Sequence, residues 1–419
     1  MSERYRHLLS ATGRQVNESA IRRMGITAAR LPDLVSFAPG YPDASRFPWD
    51  ELRDIAARLL DGHDPSVLQY GPTRGDAALV EALVPVQRAR GIDAAPANIL
   101  VTTGSQQGID LVARVFLDPG DVALAELPTY TGAISAFRNS GARVAGVRQD
   151  DGGIDVEDLE RVCARERASG ARVKLLYLTP NFQNPTGVLL DAARRAALVE
   201  WAVRADVLIV EDDPYGTLYF DEALAGAATR PLCADDADGR VVYLSTFSKT
   251  LAPGFRVGWM VAPAELAERC EAVKQSLDLL TGTLDQRVVL EALRADLPGR
   301  LAPRLRDTYR ERLAVMETAL TDALGGTLTW ARPSGGFFLW ARLPRDVDDE
   351  TLLARAIERG LIFVTGSAFY VDGSGHDRIR LSYSWAHPDQ IREGATRLAA
   401  AVEACRAGAT RDPATTPEH

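Results

Sequence analysis

The sequence predicts an α/β protein: a large domain with a mostly parallel seven-stranded sheet covered by helices, plus a smaller α+β domain formed by the C-terminal part and the N-terminal segment. Three observations carry this expectation. Seven short apolar runs follow one another at residues 99–102, 122–125, 144–147, 173–178, 207–210, 241–244 and 257–261. Helix-like segments separate most of them, for example 106–117, 156–168 and 192–204. Continuous apolar strands alternating with helices belong to parallel sheets buried on both faces. From about residue 284 the rhythm changes to strands mixed with helices, which marks the second domain.

Taken in order, residues 15–30 read as a short helix with Ile21, Met24 and Ile26 as apolar positions. Residues 34–37 lead into Ala38-Pro39-Gly40-Tyr41-Pro42, a loop set by two prolines and a glycine. Residues 51–60 read as an amphipathic helix, and 68–75 as a loop that opens a helix over 76–90. The seven strands follow. Beyond residue 284 a long helical region runs through Tyr309 and Met316; strands are expected at 327–330, 336–343, 361–364 and 378–383, and helices at 350–359 and 389–405. The chain then divides into an N-terminal arm and part of the small domain (1–60), a large domain (61–290), a small domain (291–407) and a tail (408–419). The tail is rich in Thr, Pro and Ala, a composition expected to be disordered.

At 419 residues, with 46% apolar and 25% charged residues, the chain can bury a sizeable core. A formal net charge of −9 argues against a surface for nucleic acid or anionic membrane. Cys163, Cys233, Cys270 and Cys405 are widely spaced and read as reduced thiols, not a disulfide framework. The five histidines include no close pair, so no metal site is expected. No stretch approaches the roughly 18 apolar residues of a membrane span, and the N-terminus lacks a secretion signal. The cytoplasm is the expected location.

The chemistry centres on Ser245-Thr246-Phe247-Ser248-Lys249, where an apolar strand runs into three hydroxyl side chains and a lysine, with Arg256 seven residues on. A lysine at a strand end can simply snorkel, and the serines can form a turn. Hydroxyls with Arg256 can equally hold a phosphate in the guanidinium's fixed fork of donors. Lys249, partly desolvated and beside a second cation, would then be a good amine for a Schiff base. The cofactor needing both a phosphate cradle and such a lysine is pyridoxal 5′-phosphate.

Three other stretches fall at strand ends, where open α/β sheets bind ligands. Thr103-Gly104-Ser105-Gln106 precedes a helix, so its backbone N–H groups can meet a phosphate or the serine can be an ordinary cap. Asn184-Pro185-Thr186-Gly187 is a turn that can also present the Asn184 amide above the sheet. Glu211-Asp212-Asp213-Pro214-Tyr215 brings a carboxylate to a strand mouth, where it either caps the next segment or keeps a pyridine nitrogen protonated.

Together, in this order and spacing, these stretches resemble the fold-type-I pyridoxal-phosphate enzymes, specifically the class I/II aminotransferases and within them the group of 2-aminoadipate and kynurenine aminotransferases. The resemblance runs from about Phe37 to the last helix and rests on Asn-Pro-Thr-Gly, Asp-x-x-Tyr and Ser-Lys with Arg seven residues on. It implies Lys249 as Schiff-base lysine and proton shuttle and Asp212 as partner of the pyridinium nitrogen. Tyr215 and Asn184 would contact the phenolic oxygen, and Tyr130 would stack on the ring. Ser105, Gln106, Thr246, Ser248 and Arg256 would hold the phosphate; position 246 is threonine where serine is common, which keeps the hydroxyl. Tyr70 would reach the phosphate of a neighbouring subunit, implying a homodimer with shared sites. Arg380 matches the arginine that takes the substrate α-carboxylate, although Arg378 lies on the same side of a strand and spacing alone does not choose between them. Gly40 would pass over the substrate. Arg22 would either meet a distal substrate carboxylate or lie on a solvated helix face.

The implied activity moves an amino group between an L-amino acid (aromatic, 2-aminoadipate-like or long aliphatic) and a 2-oxo acid such as 2-oxoglutarate, by ping-pong chemistry. The motifs bind cofactor and do not select the bond broken, so β-elimination, decarboxylation or oxidation stays open. A ligand-sensing domain of the kind found in transcription regulators is the third reading; too few residues precede Phe37 for the DNA-binding part.

Overall fold

The computed structural model describes residues 3–15 and 33–409. The expected helix over 15–30, Arg22 and nearly all of the 408–419 tail lie outside the described residues.

After a two-residue strand β1 (Val35–Ser36), all seven apolar runs form strands of one sheet: β2 (Ile99–Thr102), β3 (Val122–Leu127), β4 (Arg143–Asp150), β6 (Val173–Leu178), β7 (Leu208–Asp212), β8 (Val241–Thr246) and β9 (Gly258–Val261). An eighth strand that periodicity does not reveal, β5 (Gly153–Ile154), pairs antiparallel with β4 at the edge. The order is β2-β9-β8-β7-β6-β3-β4-β5, and β8-β7-β6-β3-β4 are parallel neighbours. β9 runs against both of its neighbours. Every residue of β2, β7, β8 and β9 is buried, which accounts for their unbroken apolar runs, whereas β4 alternates because it lies near an edge.

The second part holds an antiparallel sheet, order β10-β11-β14-β13, built from β10 (Thr329–Trp330), β11 (Phe338–Arg342), β13 (Val364–Thr365) and β14 (Arg378–Ser382). The run expected at 361–364 is split: β12 (Leu361–Ile362) leaves this sheet and pairs in parallel with β1. The single long helical region resolves into two helices, Thr283–Arg294 and Leu297–Leu324, separated by Asp296 at positive φ. Leu305, Tyr309, Leu313, Met316, Leu320 and Leu324 form one buried stripe at helical spacing and pack with the helix Pro388–Ala409 and β11. Residues 37–43, which carry no regular structure, run from β1 across the mouth of the large sheet. No described helix is long and apolar enough to cross a membrane.

The helix Ser105–Phe116 lies so close to β8 that a Cβ on Gly108 would stand 2.7 Å from Leu244 Cδ2. Leu244 is fully buried in the centre of the large sheet. Leu244→Ala is expected to lower stability by about 2–5 kcal/mol, the range for a core leucine whose cavity cannot collapse, measured by urea denaturation.

Candidate active site

The carboxyl ends of β6, β7 and β8 and the first turn of the helix Ser105–Phe116 converge on one cleft. Lys249 follows β8 by three residues, and its Nζ donates to Gly40 O at 2.9 Å. The lysine keeps a little exposed area, but its amine is enclosed by Gly40, the Phe337 ring at 5.7 Å and two guanidiniums. Removal from water, then Arg256 and Arg380, bring its pKa from 10.5 down to about 8, with Asp212 opposing. Such an amine is a far better nucleophile and base near neutrality than a surface lysine.

Asp212 closes β7 and is buried. Tyr177 donates its hydroxyl to Asp212 Oδ2 at 2.9 Å, while Oδ1 is buried without a partner. Burial is the main reason the carboxyl is pushed up to about 6; the Tyr177 bond and, less strongly, the nearby Ser105 hydroxyl oppose it, and the neighbouring Asp213 adds to it. A buried acceptor left without a donor is costly unless a ligand supplies one.

Around the other side lies a basic, hydroxyl-rich pocket. Arg256, held at φ 53°, donates to Ser248 Oγ at 3.3 Å and to Thr103 O at 3.3 Å. Thr246 Oγ1 donates to Ser248 Oγ at 2.9 Å, and Ser105 opens the 12-residue helix behind Gly104. Gly104 has φ 76°, a conformation that strains any other residue, and a Cβ there would also meet the Arg256 guanidinium at 2.4 Å. Hydroxyls, a guanidinium and a helix N-terminus form a donor set for a phosphate, and the orphaned Asp212 Oδ1 suits a protonated ring nitrogen. The residues therefore fit pyridoxal 5′-phosphate.

Arg380, on β14, enters from the smaller sheet and is almost wholly buried. It donates to Asn184 Oδ1 at 2.8 Å and to Ala38 O, lies over the rings of Phe338 (4.2 Å) and Phe369 (5.1 Å), and keeps an unpartnered Nε. Arg378 instead stays half-exposed and pairs with Asp377, so the structure separates two arginines that spacing leaves equivalent. Tyr130 has Asp212, Arg380 and Arg256 as its charged neighbours, and Tyr215, buried against Phe337 and Phe338, has Arg380 and Asp212. Gln106 turns its amide to Gly132 O at 3.1 Å, against Tyr130. Gly40 is at the site through its carbonyl. Tyr70 stands apart from this cluster, 79% exposed.

Sequence reasoning missed Tyr177, Phe337, Phe338 and Phe369. Tyr177 carried a signal: a tyrosine in a fully buried strand needs a partner for its hydroxyl. The phenylalanines carried none, because core packing explains them equally. Asp213, offered with Asp212 by the motif, is engaged elsewhere, accepting from Arg90 at 2.7 Å, Asn181 at 2.9 Å and Tyr243 at 3.1 Å.

A family model described as aminotransferase class I and II matches residues 37–398. The chain is 36% identical over 400 residues to an aromatic-amino-acid aminotransferase of Thermococcus litoralis, covering 95% of each chain. It is 39% identical over 389 residues to a 2-aminoadipate transaminase of Thermus thermophilus, covering 93% of this chain and 95% of the relative. Among solved structures, an α-aminoadipate aminotransferase from Thermus thermophilus, complexed with N-(5′-phosphopyridoxyl)-L-leucine, superposes with a TM-score of 0.87 at 36% identity, covering 96% of this chain and 99% of that one.

A lysine whose pKa lies lower in the folded state than in the unfolded chain destabilises the fold wherever it is charged. The penalty is full below pH of about 8 and fades as pH rises toward 10.5. Cofactor-free Lys249→Met should therefore be more stable than the parent by about 2 kcal/mol at pH 7, a figure reduced for partial solvent screening, and the gap should close above pH of about 10. Denaturant melts across pH test this.

Proposed function

The chain belongs to the aminotransferase class I and II family and moves amino groups with pyridoxal 5′-phosphate, and we propose that Lys249, Asp212 and Arg380 divide the work of that reaction among them. When bound, the cofactor supplies an aldehyde carbon that captures an amine and a protonated ring that takes up the electron pair released at the substrate Cα. Ser105, Gln106, Thr246, Ser248 and Arg256 would hold its phosphate, Asp212 would pair with its ring nitrogen, Asn184 and Tyr215 would contact its phenolic oxygen, and Tyr130 would stack on the ring. The observation that carries the reading is the coexistence of a lysine brought down to about 8 and a buried carboxylate with one empty acceptor position in the same cleft.

Arg380 grips the amino acid's carboxylate, its guanidinium already desolvated and held by Asn184 and the Ala38 carbonyl. Lys249 Nζ, once free, would take the proton from Cα and return it two bonds away, on the carbon across the amino nitrogen, a task suited to an amine that is part neutral near pH 8. The Gly40 carbonyl accepts a hydrogen bond from Nζ and so restrains the amine. Phe337, Phe338 and Phe369 keep water from the guanidinium and the amine.

The amino donors are aromatic, 2-aminoadipate-like or long aliphatic acids, with 2-oxoglutarate as an acceptor; the names of the two relatives support the aromatic and 2-aminoadipate donors. The protein is a homodimer in which Tyr70 completes the partner's phosphate site. Its support is the exposure of Leu68, Tyr70 and Leu279 on two loops joined by the Thr283–Gln69 hydrogen bond. The reading also keeps the protein in the cytoplasm, where Cys163, Cys233, Cys270 and Cys405 stay free thiols.

Purified enzyme incubated with 2-oxoglutarate and a panel of amino acids should form glutamate from aromatic donors and 2-aminoadipate. Release of ammonia or carbon dioxide without glutamate would overturn the reading. Lys249→Ala should abolish glutamate formation, while Arg380→Lys, which loses the two-pronged grip, should raise KM by about 10- to 100-fold with a smaller change in kcat.

A further inference from the structure

Two carbonyls of the irregular segment 37–43 are taken by two of the three cations of the site: Gly40 O by Lys249 and Ala38 O by Arg380. Backbone bonds anchor only its start, at Phe37, so beyond that residue this strap depends on side chains for its height above the cleft. The Phe338 ring lies beneath it, where a Cβ on Gly40 would come within 2.6 Å, and the same ring lies under Arg380. Fastenings come from the smaller domain. Ser382 N–H donates to Phe37 O at 2.8 Å, and Ser384 Oγ donates to Tyr41 O at 2.7 Å. The far end is fixed by a charge pair: Arg312, on the helix Leu297–Leu324, donates to Asp43 Oδ2 and to Ser384 O. Both residues are buried, Asp43 at 3% and Arg312 at 4% exposure. One turn earlier on the same helix, Tyr309 accepts the Asp43 N–H at 3.1 Å. Among the described residues, Arg46 also pairs with Asp43, half exposed and 3.8 Å away.

A buried ion pair adds little stability over an apolar substitute, but it fixes geometry strongly. We propose that Asp43 and Arg312 are positioning residues for amino-acid binding: the pair sets the strap, and the strap sets the directions of the Arg380 guanidinium and the Lys249 amine. This rests on the reading of Arg380 as the carboxylate receptor. Neither residue hydrogen-bonds or ion-pairs with Lys249, Asp212 or Arg380.

Asp43→Asn removes the charge yet keeps Oδ1, which accepts from the Ser45 N–H at 3.0 Å and hydroxyl at 2.8 Å. Arg312→Met removes the other charge, and Arg312→Lys retains it. Cofactor-loaded protein is titrated with an aromatic amino acid and followed by the visible absorbance change of the half-reaction, with pyridoxal 5′-phosphate affinity measured separately. In Asp43→Asn and Arg312→Met the half-saturating amino-acid concentration should rise about tenfold or more, and Arg312→Lys should recover part of it, with cofactor affinity within about twofold of the parent. Should Arg312→Met fail to fold, the other two variants decide. Parent-like amino-acid affinity in Asp43→Asn overturns the proposal, as does a loss shared equally by cofactor affinity, which marks a merely structural pair. Absence of any spectral response in the parent overturns the function reading itself, and the strap proposal with it.

Discussion

Desolvation of one amine governs this structure. Lys249 is held in a cleft with two arginines and away from most water, an arrangement that burial alone makes unfavourable for its charged form. The fold tolerates this because Gly40 O takes a hydrogen bond from Nζ and Asp212 supplies a counter-charge on the neighbouring strand. Asp212 is itself kept from a low pKa by burial and by Asp213. The amine and the acid thus restrain each other, and neither is satisfied within the chain alone. An incompletely satisfied polar pair at a strand mouth is the local inconsistency expected where a site is built to receive a ligand.

The two sheets divide the labour physically. Parallel strands of the large sheet end together, so Asp212 on β7 and Lys249 just past β8 are set side by side by strand pairing. Rigid, fully buried strands suit groups that must hold a cofactor in fixed orientation. Arg380 comes from an antiparallel sheet in the other domain, where the Phe338 and Phe369 rings of that same domain pack on it, and its hydrogen bonds to Asn184 and the Ala38 carbonyl tie it to the cleft. The strap of residues 37–43 joins these two sources, with its fastenings drawn from the smaller domain and its carbonyls offered to cations from both.

Legibility in the sequence followed the range of the interactions. All seven apolar runs became strands, the central ones because burial on both faces leaves an unbroken apolar stretch, while Gly153–Ile154 was too short to leave any period. Lys249, Asp212, Asn184 and Arg256 were visible because polar groups at strand ends stand out against apolar runs. Phe337 and Phe338 were not, since an aromatic pair reads the same whether it packs a core or lines a cleft. Asp43 and Arg312 were silent for a related reason: 269 positions separate them, and each alone resembles an ordinary surface charge.

The amino-acid sequence by itself determined the alternation of strand and helix, the change of rhythm near residue 284, and the kinds of group present at each strand end, because these depend on neighbours within a few residues. Tertiary structure decided which of Arg378 and Arg380 enters the cleft, which of Asp212 and Asp213 keeps an empty acceptor position, and how far the lysine's pKa falls. Those outcomes depend on distance and exclusion of water, which arise only when remote segments close over one another.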